Sequence, residues 1–531
     1  MPEAPAIMEL QPRSSDASGL PAAKLPAAAE STTQSSPNAS DAPPHQDTGL
    51  SALRAGIIAA AVTGILVASS MTTGLLTVAL PKMATDLDIP EHLLLWPASI
   101  YGLACGCTLL MAGSIADAVG SRIVYLIGCL LLSLSMLASG LAQTSTQLIV
   151  FRGFQGVAAS CCLPTAVSIL SEAFPDGRRR NIGFAMMGAG QPLGYSLGLS
   201  LGGVFVNSIG WRVSWYLCAG LALLVFVASI WALPIKPSTD ALTRRAFLQR
   251  LDIIGALIAS ACLGMLSYVL AVVSEGSSEI KDGKNIALLC ISGALIPTFI
   301  FWMDFRVKKN KTALIPNKLW RKSAFSTVCG MVFLTWAALN ATNYYSSLYF
   351  QEIQELSALQ TSIRFLPNAI LGIILSVATG LILHKFSAYW IVLLASVITA
   401  VSPALLALND PDWSYWYTQF WAILLSAIAV DVLFVVSNLI ITNIFPPSMH
   451  ALAGAVFNTV SQFGTAVGLA IMGVISSNVT NHSGSLDKTS PSALLDGYRA
   501  SFWACFGSLC LSIAIGCFGL KDVGKLGLKV E

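Results

Sequence analysis

Residues 122–142 read R-I-V-Y-L-I-G-C-L-L-L-S-L-S-M-L-A-S-G-L-A, one arginine followed by twenty residues without a charge. Wound as an α-helix at about 1.5 Å per residue, those twenty cover about 30 Å, the thickness of the hydrocarbon core of a bilayer. In hydrocarbon every backbone amide must find its partner within its own segment, which a helix provides; alternating strands of about ten residues, the signature of a barrel, do not occur here. Working outward, comparable apolar segments fall at 55–80, 93–114, 147–173, 182–206, 212–234, 252–273, 285–303, 324–350, 359–383, 387–408, 414–442, 450–477 and 498–520. The expectation is an all-α, polytopic membrane protein with fourteen transmembrane helices.

Composition agrees. Of 531 residues, 55 % are hydrophobic and 11 % charged, against roughly 25 % charged in soluble domains. A net charge of +3 is too mild to signal nucleic acid, and no basic stripe with interleaved aromatics occurs. The twelve cysteines, among them Cys105, Cys107, Cys161, Cys162, Cys329 and Cys505, lie inside apolar runs without C-x-x-C spacing. They read as small core residues, so neither a metal nor a cofactor is expected. A phosphate-binding G-x-x-x-x-G-K-[ST] loop is absent and no His/Asp/Glu cluster collects at a membrane face, which speaks against a primary pump and against an enzyme.

Basic residues set the orientation. Joints after even-numbered helices carry sixteen, including Arg122, Arg178, Arg179, Arg180 and seven from Arg306 to Lys322; the opposite joints carry five. The positive-inside rule then places both termini in the cytoplasm. Residues 1–54, rich in Ser, Pro and Ala and lacking the form of a signal peptide, read as a disordered cytoplasmic tail, with 521–531 as a second tail. The sequons at Asn478 and Asn481 fall in the joint before the last helix, on the external side, and are the expected glycosylation sites; those at Asn38 and Asn310 fall inside.

One register, an offset of 271 residues, lays helix 5 on helix 13: Phe174-Pro175 on Phe445-Pro446, Gly183 on Gly454, Gln191 on Gln462, Gly202 on Gly473 and Asn207 on Asn478. Eight helices separate the copies, so helices 1–6 (55–234) correspond to helices 9–14 (324–520), with helices 7 and 8 inserted in a linker at 235–323. Parallel six-helix halves are a transporter architecture.

Three segments carry recognisable motifs. Between helices 2 and 3 stands G-S-I-A-D-A-V-G-S-R, with Gly113, Asp117, Gly120 and Arg122 in a tight turn; the glycines permit close approach and reversal, and Asp117 can cap a helix or pair with a base. Helix 4 holds Arg152 with Gln155 and Gly156 in F-R-G-F-Q-G. Helix 5 reads G-A-G-Q-P-L-G-Y-S-L-G, with Gly190, Gly194, Gly198 and Gly202 along one face beside Gln191 and Pro192. Together these resemble the loop, arginine and antiporter motifs of the major facilitator superfamily, and the fourteen spans resemble its drug:proton antiporter family. W-P-A-S-I-Y-G-L-A and F-R-G-F-Q-G-V-A-A-S look like fungal exporters of toxins or secondary metabolites. The chain departs from the pattern at Thr72, where many relatives have Asp, at Thr77, where they have Asn, at Gln191 in place of Gly, and in the second loop motif, reduced to Gly380 and His384-Lys385.

The resemblance implies export of an amphiphilic compound, a drug, toxin or metabolite, from a monomer in the plasma membrane, or in the vacuolar membrane. Coupling to protons requires an ionisable group in the membrane. Asp431 is the one carboxylate deep in a span, and Arg152 the matching buried cation. Asp431 reads either as the proton carrier or as a protonated acid making a helix–helix hydrogen bond; Arg152 reads as a relay or as a structural anchor. Thr72, Gln191, Asn340, Asn343, Tyr344, Asn458 and Gln462 line the central cavity by resemblance, or else stitch helices together. Arg364 either meets an anionic ligand or anchors the interface, and Trp336, Tyr344 and Tyr345 either stack on a ring-bearing substrate or form an interface belt. The missing helix 1 acid keeps open a proton-independent facilitator or uptake carrier, and a non-transporting membrane sensor is the alternative of another class.

Overall fold

A computed structural model of the chain describes residues 52–90, 93–174, 178–233, 252–275, 282–382, 387–444, 447–483 and 490–521, apart from 310, 312, 314, 316 and 318. Residues 1–51 of the expected tail, the basic stretch 236–250, His384-Lys385, residues 522–531 and the side chains of Asp117 and Arg178–Arg180 lie outside that description.

Among the described residues, fourteen helices stand where hydropathy places them: α1 Ala52–Asp86, α2 Trp96–Val119, α3 Ser121–Leu141, α4 Ser145–Ala173, α5 Arg178–Ser208, α6 Trp211–Ala232, α7 Ile253–Glu275, α8 Gly283–Lys308, α9 Ser323–Leu348, α10 Ala358–Ile382, α11 Ala388–Leu408, α12 in two pieces, Gln419–Leu425 and Ile428–Ile444, α13 Pro447–His482 and α14 Pro491–Gly519. Among the described residues, eleven helices are long and apolar enough to cross a membrane, and Ile253–Leu266 is a shorter apolar one. Local chemistry sets several ends. Gly120 at φ 107° and Gly210 at φ 96° make the reversals into α3 and α6 in a backbone region that side chains disfavour. At the head of α4, Thr144 accepts from the Gln147 amide while the Gln147 side chain reaches back to the Gln143 amide, a pairing akin to a capping box.

Three boundaries differ from expectation. Helix 12 does not begin at 414: residues 414–418 form turns before Gln419, and the helix breaks again after Leu425. Side chains take up the groups freed at this break, since Asn368 of α10 donates to Ile423 O (3.0 Å) and Thr399 of α11 accepts from the Ala429 amide (2.8 Å); a broken helix is tolerated in hydrocarbon only with such partners. Helix 13 runs on to His482, so Asn478 and Asn481 are exposed on its last turns instead of in the following joint. Helix 14 starts at Pro491, where Ser490 caps it. The cysteines were expected in the core; Cys290 and Cys510 are exposed instead, because an all-apolar run does not mark which of its faces meets lipid.

Helices pair in a matching pattern before and after α7 and α8. α1 lies on α5 and α6, α2 on α4, and α3 on α4 and α6; in the second half α9 lies on α13 and α14, α10 on α12, and α11 on α12 and α14. The halves meet along two seams, α5 with α10 and α2 with α13, which the eight-helix offset interchanges. The inserted α7 and α8 pack on each other. At their base Asp252 accepts from Gly255 N (2.9 Å) and Trp302 Nε1 (3.0 Å) and pairs with Arg306 at 3.8 Å. α7 also lies on both α2 and α13, with Ser260 donating to Cys107 O (2.6 Å) and Tyr268 beside Trp96, so it straps one seam only.

Glycines make the tightest contact of the first half. A Cβ at Gly194 would overlap Val67 O of α1, and one at Gly198 would overlap Met71 O; across the same interface a Cβ at Gly74 would overlap Tyr195 O. Gly198→Val is expected to lower thermal stability in detergent by about 1–3 kcal/mol through overpacking, whereas Gly220→Ala, with open space around it, should leave the melting temperature unchanged.

Candidate functional site

Arg152 lies on α4 near the distal end of the bundle, where the odd-numbered helices finish. It is fully buried. Its Nε donates to Pro97 O (3.0 Å) and its Nη1 to Gln155 Oε1 (3.0 Å) and, at 3.5 Å, to Thr72 Oγ1. The guanidinium faces the rings of Tyr101 at 4.8 Å and Trp215 at 5.7 Å. Gln155 donates to Thr72 at 2.6 Å, and Thr72 in turn donates to Ser69 O. Nη2 has no hydrogen-bond partner, and no carboxylate forms an ion pair with Arg152 among the described residues. Thr72 therefore belongs to the packing of the first half and does not line an open cavity. It offers the guanidinium a hydroxyl, and hydrogen bonds and aromatic faces stand in for a counter-charge.

Asp431 lies elsewhere. It opens the second piece of α12 midway along the helix, buried, with Oδ2 unpartnered. A Cβ at Gly372 of α10 would stand 3.0 Å from that oxygen and 3.6 Å from Pro192 Cβ of α5. The carboxyl thus sits where α10, α12 and the proline of the antiporter motif converge, on the seam between the halves. Asp431 and Arg152, paired by sequence reasoning, are not joined by any described contact.

The polar residues divide between those at the seams of the bundle and those that stitch neighbouring helices. Asn343 is buried with Oδ1 free of partners, and the Tyr195 hydroxyl of α5 approaches both Asn343 and Thr77. Just distal, Ser347 donates to Thr77 O (2.6 Å), Ser362 donates to Leu199 O, and a Cβ at Gly203 would overlap Ser362. These contacts close the distal side between α1 and α9 and between α5 and α10. Gln462 packs at the other seam against Gly102 and Gly106 of α2, the repeat-related counterpart of Gln191-Pro192 at the first. Asn340 stitches α9 to α13, donating to Thr465 Oγ1 (3.1 Å), and Asn458 donates to Gly454 O within its own helix. Tyr344 and Tyr345 are buried, edge to face, and Trp336 packs on Phe457 in mid-span; none of the three forms an interface belt.

In the loop motif, Gly113 passes Pro164 of α4, Gly120 makes the turn and Arg122 donates to Ile230 O of α6 (3.1 Å). Gly190 approaches Thr63 of α1. Sequence reasoning missed Tyr195 and Gly372. It also missed the π-helical turn Tyr349–Ile353 at the end of α9, where Tyr498 donates to Glu352 and Asn409 donates to Tyr349. The acid at the edge of a span, Glu352, was the available signal for that turn.

Residues 62–410 match the Major Facilitator Superfamily, and the chain belongs to it. It is 40 % identical to MFS-type transporter 1 of Pyricularia oryzae, over 94 % of this chain and 89 % of that one. It is 28 % identical to a low affinity ammonium transporter of Saccharomyces cerevisiae, over 79 % of both chains, and 26 % identical to the efflux pump terG of Aspergillus terreus, over 81 % and 80 %. A bacterial homologue of the human lysosomal transporter Spinster, inward-facing and unoccupied, superposes with TM-score 0.60 at 15 % identity, covering 89 % of this chain and 98 % of that one. The protein is a multi-pass membrane transporter of small molecules and not an enzyme.

The Arg152 cage yields a direct expectation. Thr72→Val leaves Gln155 Nε2 and one Arg152 N–H without an acceptor, and should cost about 1–3 kcal/mol in thermal unfolding of the detergent-solubilised protein. Thr72→Ser, which keeps the hydroxyl, should recover most of that loss.

Proposed function

We propose that this chain exports an amphiphilic organic compound in exchange for protons, by alternating access between its six-helix halves, residues 55–234 and 324–520. The observation that carries the reading is Asp431: a buried carboxyl with an unpartnered oxygen, midway through the bundle, at the seam the halves must loosen as access changes. A carboxyl there is able to take up a proton when the seam opens to one side and release it to the other. Pro192 beside it lacks a backbone donor, which lets α5 bend at that level. Arg152 takes a supporting role in this scheme, holding α1, α2 and α4 as one rigid wall through Thr72, Pro97 and Gln155. Asn343, Tyr195 and Gln191 contact the substrate below the distal closure.

The same reading makes the distal end exterior and both termini cytoplasmic, following the basic residues, in a plasma-membrane protein working as a monomer. Asn478 and Asn481, exposed at the exterior end of α13, are its glycan acceptors. The efflux pump terG supports export; the helix 1 hydroxyl at Thr72 supports the second reading, a facilitator or uptake carrier without proton coupling.

Sealed vesicles of the purified protein with a pH dye inside, challenged with a panel of toxic amphiphiles, separate the two. Asp431→Asn is expected to keep compound binding and abolish compound-driven proton movement. Wild-type protein that carries a compound with no proton movement would overturn the coupling and return Asp431 to a structural role.

A further inference from the structure

At the distal edge of the second half, α10 and the turns before α12 enclose a groove of about 370 Å³ walled by Leu356, Ile363, Pro367, Tyr415 and Trp416, with Arg364 the only charged residue in its lining. Arg364 is built into place. It lies between the rings of Phe350 and Tyr415, at 5.1 and 5.0 Å, and its Nη1 donates to Gln354 and, at 2.8 Å, to Gln419; its own carbonyl accepts from Tyr415 OH at 2.8 Å. Both side-chain acceptors are neutral, and among the described residues no carboxylate pairs with it. The cation is therefore held rigidly, half-buried and uncompensated, with Nε and Nη2 left over. From the groove, Ile363, Pro367, Ile370 and Ile374 follow one face of α10, and the three isoleucines are more than half exposed. Beside it Trp416, Tyr417 and Trp421 are 68, 70 and 50 % exposed, the amphipathic rings that mark the level of lipid headgroups.

We infer that this groove holds a phospholipid of the distal leaflet with an anionic headgroup, its phosphate on Arg364 and one acyl chain along Ile363, Ile370 and Ile374. Charge and shape select the occupant. An isolated cation at headgroup depth attracts an anionic lipid, a planar guanidinium presents paired donors to phosphate oxygens, and an apolar face descending toward the bilayer centre matches an acyl chain and no soluble anion. The bound lipid would brace the turn at 414–418 against α10, next to the break in α12 that precedes Asp431.

The test uses the full chain in phosphatidylcholine nanodiscs containing a minor share of brominated phosphatidylglycerol, whose bromines quench nearby tryptophan; subtraction of a Trp416→Phe variant isolates Trp416. Quenching of Trp416 is expected to exceed the level set by the lipid's bulk share about fivefold, the worth of one basic residue near an anionic surface. It should fall to the bulk level in Arg364→Gln. Ile363→Phe, which narrows the groove and leaves every Arg364 hydrogen bond in place, should lower it as well, so a folding defect at Arg364 does not decide the outcome. Soluble glycerol phosphate should not displace the lipid. Quenching at bulk level in the wild type, equal enrichment of brominated phosphatidylcholine, enrichment that survives Arg364→Gln, or displacement by glycerol phosphate would each overturn the assignment.

Discussion

Within a bilayer the hydrophobic effect cannot drive helices together, because lipid tails are as apolar as leucine; contact has to come from surfaces that fit. In this protein the governing fit is α5 on α1 across Gly194 and Gly198, answered by Gly74 from the other side. Backbone lies against backbone there, and that closeness fixes the rotation of α5. Once α5 is set, Pro192 faces Asp431, Tyr195 reaches Thr77 and Asn343, and Gly203 meets α10. The antiporter motif thus acts through two faces of one helix. Its glycines hold α5 to its own half, and Pro192 and Tyr195 between them reach toward the other half.

Charge is distributed sparingly and kept apart. Arg152 is buried in the first half, in a cage of neutral acceptors and aromatic faces; Asp431 is buried on the seam, with no cation paired to it among the described residues. Had an Asp stood at position 72, Arg152 would have carried its counter-ion within its own half. With threonine there, the cage is complete apart from Nη2 and holds no carboxylate among the described residues. In the proposed exchange, proton traffic then falls to Asp431, and Arg152 is left as a fixed structural charge.

Much of this was legible in the sequence, for reasons that also mark the limit. Hydropathy summed over twenty residues is a strong signal, so the fourteen helices and their order could be read, and one register exposed the repeat. The break in α12 could not: L-L-S-A-I-A-V contains neither glycine nor proline, and the groups that stabilise the break, Asn368 and Thr399, come from other helices. Asp431 and Arg152 stood out because charges are rare at that depth. Their partners did not, since Pro97 contributes a carbonyl and Gly372 an absence of side chain, neither of which is distinctive in a string of letters. Tyr195 was hidden within a motif valued for its glycines. Asn340 and Asn343, three residues apart on one helix, looked alike, and only packing separated the stitch from the amide whose oxygen has no partner.

The inserted hairpin breaks a symmetry that the rest of the fold maintains. Two seams related by the repeat would give equally on rocking, and the axis would pass through the centre of the bundle. With α7 lying on both α2 and α13, the α2–α13 seam becomes the stiffer one and the axis shifts toward it, as a door turns about its hinged jamb. The α5–α10 seam then travels farther. Among the described residues no inserted helix packs over it, so in the proposed export cycle a molecule dissolved in the membrane would meet one doorway into the bundle, with the acid at Asp431 on its threshold.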